Sequence, residues 1–336
     1  MARILKGLTT RVAASLLVAL ATTVDASPYT FTSLDVPGAA ASILMDINDS
    51  GAAVGIAWPI YPGPVRGGTF AFRYLAGTFA VINAPGAFGV DTIGINNAGH
   101  MVGTFYDGKT SRGFLDVEGK FSAIDVPGAS ATSPTGINSA GQIVGTFTDS
   151  HSINHGFLYA DGVSTTMDVP GTVFTGRVSI NDAGQMVFVS SVSDLYHWQN
   201  YLYADGVFSP ISGLSPAGAH DIVAMGINNA GQMVGYYNDD TGVHGFLDAD
   251  RSFTNIDVRP VGSVGGATFP LGLNDRGQIV GYFNLYNGGA PHSFLAPCAS
   301  DVTCIAMVPE PGSVLLFSAG LLALGLACRR KAAVCA

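Results

Sequence analysis

Ile137-Asn138-Ser139-Ala140-Gly141-Gln142-Ile143-Val144-Gly145-Thr146-Phe147 is the stretch on which the fold turns. An Asn side chain bonds nearby backbone and a Gly three residues on takes a left-handed conformation, so Asn138 to Gly141 reads as a tight hairpin turn. The segment Gln142 to Phe147 then reads as a short strand. The same apolar-Asn-x-x-Gly unit recurs at Ile47-Asn48, Ile95-Asn96, Ile180-Asn181, Ile227-Asn228 and Leu273-Asn274, with Asn-to-Asn spacings of 48, 42, 43, 47 and 46. Each copy carries a third strand, as in His155 to Tyr159, and a fourth that ends in a turn, as in Phe121 to Gly128. Four short strands per ~45 residues is the period of a propeller blade. The strands are apolar on both faces, as sheets sandwiched between neighbours require.

With the strands of a blade called a to d in chain order, six a–b–c sets are present and the last, ending at His292-Ser-Phe-Leu295, has no d strand after it. Tyr29 to Gly38 stands unpaired before the first set and reads as a d strand. The expected fold is therefore all-β: a six-bladed β-propeller over 27–297, with four antiparallel strands per blade and the last blade closed by the N-terminal strand. Closure would remove the exposed sheet edges. An open β-solenoid is the competing arrangement.

Composition agrees. The 336 residues include 44 Gly, which is costly inside helices, and 22 of the 24 acids are Asp, a turn residue. With 48% apolar residues the chain has material for a core. Residues 27–310 hold nine basic and 23 acidic side chains, a net charge of −14, which argues against nucleic acid as a partner. Residues 1–26 have the basic start, apolar stretch and small residues before the cut that signal peptidase reads, with Ala26 the expected cleavage point. Cys298 and Cys304 lie in a linker over 298–308, where an oxidising compartment leaves a local disulfide open to them.

Val308-Pro309-Glu310-Pro311-Gly312 precedes an uncharged run from Ser313 to Cys328, then Arg329-Arg330-Lys331. This tail, 309–336, resembles the PEP-CTERM sorting signal. The resemblance implies export in a Gram-negative bacterium, a single C-terminal transmembrane helix as transient inner-membrane anchor, processing by an exosortase near Pro309, and a setting of extracellular polysaccharide. A plain tail anchor is the alternative. His155, His244 and His292 in the third strands make the body similar to the HAF-repeat family of bacterial extracellular proteins. Arg112, Phe70 and Gln199 depart from that pattern, and the resemblance implies no particular chemistry.

No Ser nucleophile elbow, His-Glu-x-x-His motif or phosphate-cradling loop occurs, so no catalytic residue, metal ligand or cofactor is assigned. Asp35, Asp125, Asp168 and Asp257 end the repeats and are expected to cap turns. Blades 1 and 4 break the repeat: Phe188 replaces the Gly after Val in strand b, and both tryptophans fall in the b–c connections. Trp58, Tyr61 and Arg66 in one, and Asp194, Tyr196, His197 and Trp198 in the other, are the candidate ligand contacts, since exposed aromatics beside polar groups can stack on sugars. The same aromatics could instead pack down over the ring. The expected function is a non-enzymatic surface or matrix protein that binds polysaccharide or another surface component, touching the membrane only through its terminal segments. A propeller glycoside hydrolase or polysaccharide lyase is the alternative.

Overall fold

The computed structural model describes residues 31–60, 69–193, 197–212, 218–258, 266–285 and 289–297. They form six four-stranded antiparallel sheets, each with strand order a-b-c-d. Blade 1 comprises Ala39–Ile47, Ala53–Pro59, Phe70–Leu75 and Thr78–Ile82. Blade 2 comprises Gly89–Ile95, Met101–Tyr106, Ser111–Val117 and Lys120–Ile124. Blade 3 comprises Ala131–Ile137, Ile143–Thr148, Asn154–Ala160 and Val163–Thr166. Blade 4 comprises Phe174–Ile180, Met186–Ser191, Trp198–Ala204 and Val207–Pro210. Blade 5 comprises His220–Ile227, Met233–Asp239, Gly242–Ala249 and Ser252–Ile256.

Blade 6 takes Ala267–Leu273, Ile279–Asn284 and His292–Ala296, and its outer strand is Thr32–Ser33. Thr32 pairs with Leu295 and Ser33 with Phe294, Leu34 N donates to Ser293 O at 2.9 Å, and Phe31 meets Phe294 edge-on at 6.0 Å. The N-terminal segment thus closes the ring, over a shorter span than the Tyr29 to Gly38 expected. The expected signal peptide, Cys298 and Cys304, the helix over 313–328, and Pro309, Glu310, Pro311, Arg329, Arg330 and Lys331 lie outside the described residues. Among the described residues, no helix is long and apolar enough to cross a membrane.

The core is a series of layers between blades rather than one central mass. Val102, Ile124 and Val126 of blade 2, for example, pack on Ile137, Ile143 and Phe157 of blade 3. A fully buried Phe recurs at one position of strand c, as Phe72, Phe114, Phe157, Phe246 and Phe294. Opposite each stands the Gly of strand b, as Phe157 faces Gly145. A Cβ on Gly145 would lie 2.2 Å from Ser133 O, because the a strand bulges over it between Pro134 and Gly136.

The Asn-x-x-Gly turns behave as read: Asn138 Oδ1 accepts from Gln142 N at 2.9 Å, and Gly141 has φ +78°. Their amides also reach sideways. Asn48 Nδ2 donates to Asn96 O, Asn96 to Asn138, Asn138 to Asn181, Asn181 to Asn228, Asn228 to Asn274 and Asn274 to Asn48, at 2.9–3.3 Å. Six side chains therefore tie the six blades into one hydrogen-bonded ring at the a–b end of the axis. All six are buried, where an amide left unpaired would be costly.

Candidate ligand pocket

The d strands end in carboxylates that grip strand c. Asp168 Oδ2 accepts from His155 Nδ1 at 2.8 Å while its Oδ1 accepts from Gly156 N at 3.1 Å. Asp35 does the same with His292 and Ser293 across the closure. His244 pairs with Asp257 at 2.9 Å, and Arg112 pairs with Asp125. These aspartates therefore bridge strands rather than cap turns, correcting the sequence expectation. The carboxylate sits two residues beyond the partner of the buried strand-c Phe, within reach of the residue before the Gly. In blades 1 and 4 both halves of the pair change together, to Phe70 with Asn83 and to Gln199 with Ser212.

Blade 4 departs furthest. Phe188 stands where other blades have Gly, and it faces Tyr201, so the large buried ring has moved from strand c to strand b. A carbonyl cannot bulge over a Phe Cβ as it does over Gly145. The bulge accordingly shifts toward the start of the strand, between Thr175 and Arg177. Asn200 replaces the strand-c Gly and is held by blade 5, with Nδ2 on Ile222 O at 2.8 Å and Oδ1 accepting from Ala224 N at 2.9 Å.

The shifted bulge borders a pocket of about 460 Å³ between blades 3, 4 and 5, inside the usual range for small-ligand sites. Phe174, Gly176, Arg177, Val189 and Trp198 come from blade 4, Thr135 and Asn154 from blade 3, and Val223, Met225 and Tyr236 from blade 5. Trp198 tilts against Phe174 with ring centroids 5.9 Å apart and covers Gly176, where a Cβ would meet its ring at 2.8 Å. Tyr236 meets Phe269 edge-on, and Phe269 stacks on Tyr282 at 4.5 Å. Burial pushes the Tyr236 hydroxyl above its usual pKa and that of Tyr282 up to about 12, so both are neutral donors at ordinary pH.

Arg177 donates through Nε to Met225 O at 3.2 Å. Its two Nη groups make no hydrogen bond among the described residues, although the guanidinium lines the pocket. Desolvation holds its pKa below the ordinary value, opposed by Asp46. Asp46 sits where blades 2, 3, 5 and 6 have Gly; its oxygens accept from Ile95 N and Ile47 N, both at 2.9 Å. Burial nevertheless pushes its carboxyl up to about 6, against those bonds and the charge of Arg177. Arg177 and Asp46 are thus attracted through space but not paired in contact.

A smaller cavity at the a–b end, about 80 Å³, is lined by the Asn ring, Asp46, Asp49, Asp182 and Asp275. Asn229 Nδ2 donates to Asp182 at 3.0 Å and Asp275 at 2.6 Å, so these carboxylates are already engaged. Among the described residues no group of three or more His, Cys, Asp or Glu could hold a metal ion.

Of the contacts read from sequence, Trp198 lines the pocket and His197 is exposed just ahead of it. Trp58 is half-buried in strand b of blade 1, paired with Ala41, and lies outside the pocket. The two tryptophans are therefore strand residues and not tips of equivalent exposed loops, because strand b of blade 1 runs on to Pro59 and strand c of blade 4 begins at Trp198. Tyr61, Arg66, Asp194 and Tyr196 lie outside the described residues. Arg177, Phe174, Tyr236 and Asn154 escaped the sequence reading. The signal was present at Phe188, the residue that displaces the bulge.

The PEP-CTERM protein-sorting motif matches residues 308–331, which marks the chain as exported, sorted to the cell surface and processed by an exosortase. No curated protein matches it. Among solved structures it is similar to TolB from Acinetobacter baumannii, with 14% identity, 64% of this chain and 54% of that one covered, and a TM-score of 0.49. This chain thus spans about half the length of that relative. The Aleuria aurantia lectin matches with 12% identity, coverage of 81% and 99%, and a TM-score of 0.48. A gluconolactonase from Xanthomonas campestris matches with 11% identity, coverage of 81% and 88%, and a TM-score of 0.47. At such identities the ligand and chemistry of those proteins do not transfer to this one.

Proposed function

We propose that this chain is a non-enzymatic binding propeller of the cell surface or extracellular matrix of a Gram-negative bacterium, and that it holds polysaccharide or another surface component in the blade 4 pocket. Residues 1–26 serve as its signal peptide, and the tail over 309–336 anchors it in the inner membrane until exosortase cuts it. The His–Asp pairs of strand c support its place among HAF-repeat proteins. The observation that carries the binding reading is the open pocket of about 460 Å³ walled by Trp198, Phe174 and Tyr236. Aromatic faces stack on the apolar faces of sugar rings, and Asn154 with the Tyr236 hydroxyl supplies hydrogen bonds to their hydroxyls. Asp194, Tyr196 and His197, next to Trp198 in the sequence, are proposed as further contacts. Trp58 belongs to blade 1 and does not line this pocket.

The test is retention of the exported protein on the producer's own polysaccharide, with sugar release monitored. Trp198→Ala should weaken retention about tenfold, the order expected for one lost aromatic stack, and Trp58→Ala should leave it unchanged. Equal retention by wild type and Trp198→Ala would overturn the reading. Release of cleaved glycan would replace it with the hydrolase or lyase alternative.

A further inference from the structure

We infer that the ligand of this pocket carries a carboxylate, as a hexuronate unit does, and that Arg177 grips it with both Nη groups while the sugar ring lies against Trp198. This rests on the reading of the pocket as a glycan site and narrows it to acidic sugars.

The guanidinium presents a planar fork of donors that matches the two oxygens of a carboxylate. Here Nε is committed to Met225 O, the two Nη groups have no hydrogen-bond partner among the described residues, and Arg177 lines the cavity. Arg177 is half-buried, so these Nη groups are free to meet a ligand that enters the pocket. Asp46 is the carboxylate that acts on it most strongly, yet both oxygens of Asp46 are taken by backbone amides of Ile47 and Ile95. The cavity that Arg177 faces is thus suited to an external anion.

Charge count narrows the class. Among the described residues Arg177 is the one cation lining the pocket, and it balances a single negative charge. A carboxylate carries one; a phosphate monoester carries nearly two, more than Arg177 balances. The rest of the lining suits a sugar: Trp198 and Phe174 on one wall, Tyr236 on another, and Asn154 at the mouth. The body's net charge of −14 repels a continuous polyanion at long range, so the favoured ligand is a uronate set among neutral sugars.

Calorimetry on the exported protein tests this without any substitution, by comparing a methyl hexuronoside, its methyl ester, the neutral methyl hexoside and a hexose 6-phosphate. The acid should bind about 10- to 100-fold tighter than the ester or the hexoside, as loss of a charge-assisted bidentate contact implies, and tighter than the phosphate. Arg177→Gln should erase the preference for acid over ester, and Arg177→Lys, which keeps the charge but not the fork, should retain only part of it. Equal affinity for acid and ester, or preference for the phosphate, would overturn the inference. If all neutral sugars bind and Trp198→Ala abolishes that binding, the glycan reading survives and the carboxylate falls. If no sugar binds at all, both fall.

Discussion

Blades 3 and 4 are neighbours built from the same repeat, and they differ at the strand-b core position, at the bulge and at the strand-c pair. Blade 3 has Gly145 facing Phe157, a bulge between Pro134 and Gly136, and a His155–Asp168 pair. Blade 4 has Phe188 facing Tyr201, a bulge between Thr175 and Arg177, and Gln199 with Ser212 in place of the pair. The differences are connected. Moving the large ring to strand b forbids the usual bulge, the displaced bulge borders a cavity, and Arg177 fills one wall of it. One residue changed in the core thus goes with a pocket between three blades.

The comparison can be broken most severely at Phe188. Phe188→Ala empties a fully buried space and should cost about 3–5 kcal/mol, read as a lower melting temperature. The reciprocal change in blade 3, Gly145→Ala, places a Cβ against backbone at 2.2 Å and should cost about 1–3 kcal/mol. If Gly145→Ala is harmless, the steric account of the two bulges is wrong.

Asp46 gives a pH signature. Its folded pKa of about 6 lies above the ordinary 3.8, so between these values the folded protein keeps a proton that the unfolded chain has released. Its contribution to stability therefore falls as pH rises from about 4 to about 6 and is level above. Asp46→Asn should remove this slope, so that the difference in unfolding free energy between wild type and variant grows in the variant's favour between about pH 4 and about pH 7. A constant difference would show that the carboxyl titrates normally. The smallest effect belongs to the clamps: His155→Ala should cost about 0.5–1 kcal/mol, because the pair is half-exposed, and Gln199→Ala less than about 0.5.

The periodic part of this molecule is legible in the sequence because it is local. A turn of four residues, a strand of six and a spacing near 45 are written in consecutive letters. Even the closure by Thr32–Ser33 could be deduced, since a missing d strand at one end matched a spare one at the other. Lateral contacts were not legible. The Asn amides spend Oδ1 within their own turn, which the spacing suggests, but Nδ2 crosses to a residue more than 40 positions away. The aspartates at repeat ends looked like caps because a linear chain displays the turn beside them and hides the strand they reach. Trp58 and Trp198 looked like loop tips because strand ends depend on pairing partners. Arg177 was invisible for the same reason: its burial depends on a bulge whose position is set by Phe188 in the next strand.

The contact between Asp35 and His292 joins residues 257 apart, and it gives the chain a particular life history. The ring cannot be sealed until its last strand has crossed the membrane. Until then blade 6 lacks its outer pairing. Long-range pairing of this kind forms slowly and leaves unfinished edges open to other chains.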